Sequence, residues 1–320
     1  MCSRQNPSVF GGSSPYLRPG EWQVVTVYRR AVSDLHYQGR SAFTELDPFG
    51  PVNTQNLLNV DLTYGVSRRF SLSLNLPLSI NSFAVKRAPP GGTEREWVTT
   101  RSSGLGDVSL RGNLWLFRAS EASSWNLGVS LGLKAPTGAA AASDAVFGRQ
   151  IPVDISIQPG DKAWAPTASL QAFRRFEWLT LFGSANYLFN PRNTTGAPVF
   201  FQTLGNPRNT FPNSSSDQFL YQFGAAFRTA ARWPVPILAY RISGVPVFDV
   251  FGASDGFRRP GTIGFIEPGL SYSVKGHVFS VTVPVRTYVN IKDSPFTGRI
   301  EDATVPRHAL TLSWSKRFRP

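Results

Sequence analysis

The segment Phe70–Ile80, FSLSLNLPLSI, decides how this chain is read. Successive side chains of a β-strand point to opposite faces. Leu72, Leu74, Leu76 and Leu78 therefore share one face, and Ser71, Ser73 and Asn75 share the other. The preceding stretch repeats the pattern, with Leu58, Val60, Leu62 and Tyr64 against Asn59, Asp61 and Thr63. Residues 105–118 set Val108, Leu110, Leu114 and Leu116 against Ser109, Arg111 and Asn113. Residues 125–134 set Trp125, Leu127, Val129, Leu131 and Leu133 against Asn126, Ser130 and Lys134. The same alternation runs through Leu179–Phe189, Phe219–Phe227, Phe279–Val285 and Leu310–Phe318. Weaker strands fall at about 22–32, 163–174, 236–248 and 261–274, the first of them readable in either phase. The sum is about twelve strands of roughly ten residues, the length a tilted strand needs to cross a bilayer. Soluble strands are nearer five or six residues.

The connections sort these strands into a barrel. Long segments (33–54, 82–104, 136–162, 190–216, 249–260 and 290–306) alternate with short ones (65–69, 119–124, 175–177, 229–235 and 275–276). In an antiparallel ring alternate connections lie at opposite ends, and outer-membrane barrels keep short periplasmic turns and long extracellular loops. The expected fold is all-β: a transmembrane antiparallel up-and-down β-barrel of about twelve strands. Residues 1–20 are expected to form an N-terminal periplasmic segment and 21–320 a single barrel domain. Trp22, Trp115, Trp125, Trp164, Trp178, Trp233 and Trp314 sit near strand ends, as interfacial girdles require. Pro77 and Pro284 fall inside strands, where a missing N–H predicts a bulge or kink.

Composition excludes other classes. No run approaches the 18 or so apolar residues of a membrane-spanning helix. One cysteine, Cys2, rules out an intramolecular disulfide, and the three histidines (His36, His277 and His308) lie far apart without ligand spacing. No cofactor or metal is expected. The net charge of +13 comes from 33 basic and 20 acidic residues. The basic residues do not cluster as a nucleic-acid surface requires. They come in pairs near strand ends (Arg29-Arg30, Arg68-Arg69, Arg174-Arg175, Arg258-Arg259 and Lys316-Arg317), where rims meet anionic headgroups. Residues 1–20 lack an apolar leader core, so an exported protein is expected to be represented here without its signal peptide.

Two segments carry a resemblance. Gly104-Leu105-Gly106-Asp107-Val108 opens a strand, and Gly132-Leu133-Lys134-Ala135-Pro136-Thr137-Gly138 closes the next. Together they resemble the G-x-G-D and G-x-K-x-P-T-G pair of a bacterial outer-membrane family labelled MetA-pathway of phenol degradation, or outer-membrane transporter-like. Gln158-Pro159-Gly160-Asp161 followed by Trp164 is similar to that family's entry to its sixth strand. The resemblance implies a Cys-rich stretch after the signal peptide, of which Cys2-Ser3 is a remnant, and passage of small, aromatic or apolar compounds. The chain departs from outer-membrane barrels in general by ending Phe318-Arg319-Pro320 rather than on the aromatic. Physically, Gly104 and Gly106 suit a tight bend at a rim, with Asp107 accepting backbone hydrogen bonds; Pro136, Thr137 and Gly138 complete the motif.

The expected inner face carries Asp61, Arg111, Lys134, Arg228, Arg241, Glu267 and Arg286 among Ser, Thr and Asn. Charge at membrane depth is tolerated only facing water or an opposite charge, and the positive balance favours anions. Two functions stay open: a porin-like channel or transporter for passage of small molecules through a Gram-negative outer membrane, or a closed barrel anchoring surface loops or a partner subunit. An enzyme needs an activated Ser or Asp near a His, and none is placed so; no enzymatic activity is expected. Expected partners are outer-membrane lipid and lipopolysaccharide and a small-molecule permeant, with no nucleic acid; a protein partner or homo-oligomer stays open.

Overall fold

The structure is a computed structural model that describes residues 15–42, 50–117, 119–120, 124–198, 212–230, 233–298 and 301–319. Expectations resting on Met1, Cys2, Ser3 and Pro320 lie outside these residues. Among those described, twelve antiparallel strands form a closed ring. They are β1 (Trp22–Ser33), β2 (Val52–Gly65), β3 (Phe70–Arg87), β4 (Glu96–Leu105 and, past a break, Ser109–Trp115), β5 (Trp125–Lys134), β6 (Ala165–Arg175), β7 (Leu179–Leu188), β8 (Gln218–Phe227), β9 (Val235–Val245), β10 (Gly261–Val274), β11 (His277–Thr282 and, past a break, Val285–Ile291) and β12 (Ala309–Phe318). Each pairs with its sequence neighbours, and β1 pairs with β12 in register from Trp22↔Phe318 to Ala31↔Ala309. Closure leaves no end strand in the ring, although Glu96–Leu105 of β4 pairs as a strand only with β3 and Val285–Ile291 of β11 only with β10.

The alternation becomes inside and outside. On β3, Ser73, Asn75, Ser79 and Asn81 are buried inward while Leu72, Leu78 and Ile80 are exposed outward. Leu131 on β5 is 72% exposed and Trp233, in a turn, 70%, values that belong to a lipid-facing belt. Trp22, Trp125, Trp164 and Trp178 are likewise exposed, but Trp115 is buried inside the ring, so it is not part of the girdle. The phase of β1 is now fixed. Val25, Val27 and Ala31 are buried and Trp22 is exposed, which turns Arg29 inward and leaves Arg30 outside. Sequence alone left the choice open because both faces of 22–32 carry apolar residues.

One correction concerns length. Residues 82–104 are not a long loop: β3 runs to Arg87 and β4 begins at Glu96, so only 88–95 connect them. This hairpin extends past the other strands, and its inner face is apolar for a second reason. Phe83, Val85 and Val98 pack with Val146, Ile151, Val153 and Ile157 of the following loop. That loop contains a hairpin, Ser143–Val146 with Arg149–Pro152, and a 3-10 turn at Ile155–Ile157, all folded against the tall wall. The segments after β1 and before β12 also hold structure, a small sheet of Leu35–Gln38, Ser41–Ala42 and Asp302–Val305.

The prolines act on the ladder. Pro284 sits at the break in β11, as expected. Pro77 stays in β3, opposite Asn59, and the break falls on its partner β4 at 106–108. A residue's N–H and C=O point the same way across an antiparallel pair. The Pro77 carbonyl accepts from Gly106 N at 2.7 Å, so its missing donor also faces β4, and the ladder stops there.

Candidate functional site

The break in β4 is filled by the family-like motif. Gly106, Gly138 and Gly160 approach so closely that a Cβ on Gly138 would stand 2.9 Å from Pro159 O and 3.0 Å from the Gly106 backbone. A Cβ on Gly160 would stand 2.7 Å from Asp107 Oδ1. The backbones are held together by Asp107, whose Oδ1 accepts from Gly138 N (2.9 Å) and whose Oδ2 accepts from Asp161 N (3.2 Å). Thr137 Oγ1 donates to Gly106 O (2.8 Å) and accepts from Val108 N (2.9 Å). Lys134 reaches this junction from the end of β5. Its Nζ lies 2.9 Å from Asp107 Oδ2 and also binds Asp161 Oδ1. Asp161 takes a further bond from Asn190 Nδ2 at 3.0 Å. Burial alone raises the Asp161 pKa, and the Lys134 ammonium outweighs that and holds it below the usual carboxylate range. Gly104, with φ +143°, marks the start of the bend.

A second buried junction ties the loops after β7 and β9. Arg258 donates to both carboxylate oxygens of Asp249, at 2.8 and 2.5 Å, and to Ser214 Oγ at 2.6 Å. Asp217 accepts from Asn190 N, Val250 N and Tyr187 Oη. Bidentate arginine–carboxylate contacts fix orientation as well as energy.

Inside the ring lies a cavity of about 540 Å³. Among the described residues its lining holds six cations (Arg29, Arg111, Lys134, Arg241, Arg258 and Arg259) but only two acids, Asp107 and Asp161. Four of the arginines have carboxylate partners that do not line the cavity: Asp61 at 3.2 Å from Arg111, Glu267 at 2.6 Å from Arg241, Asp249 at 2.5 Å from Arg258 and Asp154 at 3.6 Å from Arg259. Glu267 also accepts from Gln222 Nε2 at 2.6 Å, and Arg241 lies over the Phe265 ring at 4.4 Å. The acids thus stand behind, and the guanidinium groups face the space.

Of the residues expected on the inner face, Asp61 with Arg111, Arg241 with Glu267, and Lys134 are brought inside. Two are placed otherwise. Arg228 is the first residue past β8, exposed in a turn, because the strand stops at Phe227. Arg286 lies on β11 beyond its break, where it covers the Tyr37 ring at 4.5 Å and donates to Val305 O at 3.1 Å. It does not line the cavity. Sequence reasoning missed Arg29, and period-two alternation in the correct phase was the only signal for it.

At the end carrying the short turns, the chain before β1 enters the ring. Tyr16 is buried against Trp115 (5.2 Å between centroids, edge-on) and Phe173 (6.2 Å), with Phe182 and Ile237 in the same cluster. Its hydroxyl accepts from Asn126 Nδ2 at 2.8 Å, and its carbonyl accepts from Arg317 at 3.1 Å.

No protein-family model and no curated protein matches this chain. Among solved structures, an outer-membrane channel from Pseudomonas putida F1 superposes with a TM-score of 0.62 at 13% identity, over 98% of this chain and 100% of that one. A FadL homologue from Pseudomonas aeruginosa matches over 99% of both chains at 11% identity, with a TM-score of 0.44. The toluene transporter TbuX from Ralstonia pickettii matches over 98% of this chain and 92% of that one, at 11% identity and a TM-score of 0.40. The likeness to the P. putida channel is one of fold. The chain folds as a twelve-stranded β-barrel of the outer-membrane type.

Proposed function

We propose that this barrel resides in a bacterial outer membrane and passes small molecules passively through its lumen, with the short turns in the periplasm and the long loops outside. The observation that carries this reading is the cavity: about 540 Å³ of donor-lined space inside a wall whose outer face is apolar. Twelve strands fall between barrels filled by side chains and the wide porins. A barrel serving only as an anchor has no need of such a space. The motif at 104–108 and 132–138 supports grouping the chain with the outer-membrane transporter-like family that bears the phenol-degradation label, and the role proposed is non-catalytic.

The test is solute flux into liposomes carrying the folded barrel, with folding checked by heat-modifiable mobility. Uncharged solutes of a few carbon atoms are expected to enter faster than into empty liposomes. A folded barrel that admits none of them overturns the channel and leaves the closed, loop-presenting barrel.

A further inference from the structure

The cavity is lined by hydrogen-bond donors that the protein itself leaves without acceptors. Asn186 Nδ2, Arg29 Nε, Arg241 Nη2 and Arg258 Nε are all buried without a hydrogen-bond partner among the described residues, and all four residues line the cavity. Asn186, Arg241 and Arg258 are only 5%, 3% and 2% exposed, so bulk solvent does not serve them on the surface. A buried donor left unmade is costly, so the set marks where a ligand's oxygen atoms belong. Arginine and amide N–H groups are donors, and an anionic oxygen is the acceptor they hold most strongly.

Arg29 stands apart from the other arginines. It projects from β1 into the same cavity as Arg241, close enough to interact electrostatically with both Arg241 and Glu267. Glu267 is already taken by Arg241 and Gln222. Arg29 is flanked on the cavity wall by Val27 and Leu57, and Ile263 and Leu220 line the same space. A cation beside apolar wall fits an anion with an apolar body better than it fits an inorganic ion.

We infer that the cavity holds a small organic carboxylate, its carboxyl group on Arg29 and its apolar body against Val27 and Leu57. Calling that molecule the permeant rests on the channel reading; the binding site itself does not.

Benzoate, benzyl alcohol and benzylamine share a ring and differ in charge, so they separate the anion from its body. Calorimetric titration of each into the folded wild-type barrel, with the barrel-free micelle as blank, is expected to show benzoate binding about tenfold or more tighter than benzyl alcohol. Benzylamine is expected not to bind. Arg29→Gln is expected to bring benzoate down to the level of the alcohol, and Arg29→Lys to restore part of the difference. Equal binding of benzoate and benzyl alcohol by the wild type overturns the inference, whether or not the variants fold. So does benzoate binding unchanged in folded Arg29→Gln. Flux of an uncharged sugar such as arabinose, which the bilayer itself holds back, decides the channel separately: flux without benzoate preference removes the site and keeps the channel, and benzoate binding without flux does the reverse.

Discussion

Nζ of Lys134 lies 2.9 Å from Oδ2 of Asp107, and the same ammonium binds Asp161 from the next loop. One cation thus joins the end of β5, the break in β4 and the chain entering β6. Removing it leaves two carboxylates facing each other in a buried junction. Breaking a buried ion pair by deleting one partner costs on the order of 3–5 kcal/mol. Lys134→Met is expected to lower the unfolding midpoint in detergent strongly, and the added change Asp107→Asn to recover part of the loss. A stability equal to wild type in Lys134→Met would show that the glycine contacts alone hold the junction.

The assignment of faces predicts opposite results at residues on neighbouring strands. Leu131→Arg places charge on the most exposed part of the lipid face, at a cost of about 2–4 kcal/mol near the bilayer midplane. Ser169, which lies opposite Ser130 in the β5–β6 register, lines the cavity, so Ser169→Arg is expected to insert normally. Heat-modifiable mobility after refolding into lipid reads both. Equal insertion of the two variants contradicts the face assignment.

Orientation is tested by cysteine labelling of intact cells after Cys2→Ser. Ala141→Cys and Gln150→Cys, both exposed in the β5–β6 loop, are expected to react with a membrane-impermeant maleimide. Arg68→Cys, exposed in the turn between β2 and β3, is expected to stay unreacted until the cells are opened. The opposite order reverses the barrel in its membrane.

Tyr16 closes part of the lumen with an aromatic contact on either side and a hydrogen bond from Asn126. Tyr16→Ala is expected to raise single-channel conductance in planar bilayers, while Tyr16→Phe, which keeps the ring, changes it little. Unchanged conductance in the alanine variant means that the permeation path bypasses this cluster.

Much of this was readable from alternation. FSLSLNLPLSI assigns the two faces of β3 without a structure, because lipid on one side and a polar lumen on the other impose opposite demands every second residue. The same logic fails where those demands lapse. Where the β3–β4 hairpin runs on past its neighbours, Phe83, Val85 and Val98 face inward against a loop hairpin rather than outward, so 82–104 lost its strand signature. Arg29 was obscured because both faces of β1 carry apolar residues. Arg228 and Arg286 were misplaced by one strand end and one strand break, events that a periodic reading carries straight through. Pairing lay further out of reach: that Arg241 meets Glu267 depends on register between β9 and β10, Arg241 opposite Phe265 and Ala239 opposite Glu267, which no local pattern encodes.

The two interrupted strands have a mechanical meaning. β4 and β11 are seven places apart one way round the ring and five the other, so their breaks fall on nearly opposite sides of the cylinder. Continuous hydrogen-bonded strands resist shear, and each break removes a few rungs from that resistance. A tube weakened along two facing lines deforms most easily by flattening between them. Flattening from round towards oval is then the deformation that sacrifices the fewest hydrogen bonds, and it would change the width of the space that Arg29 and Arg241 line.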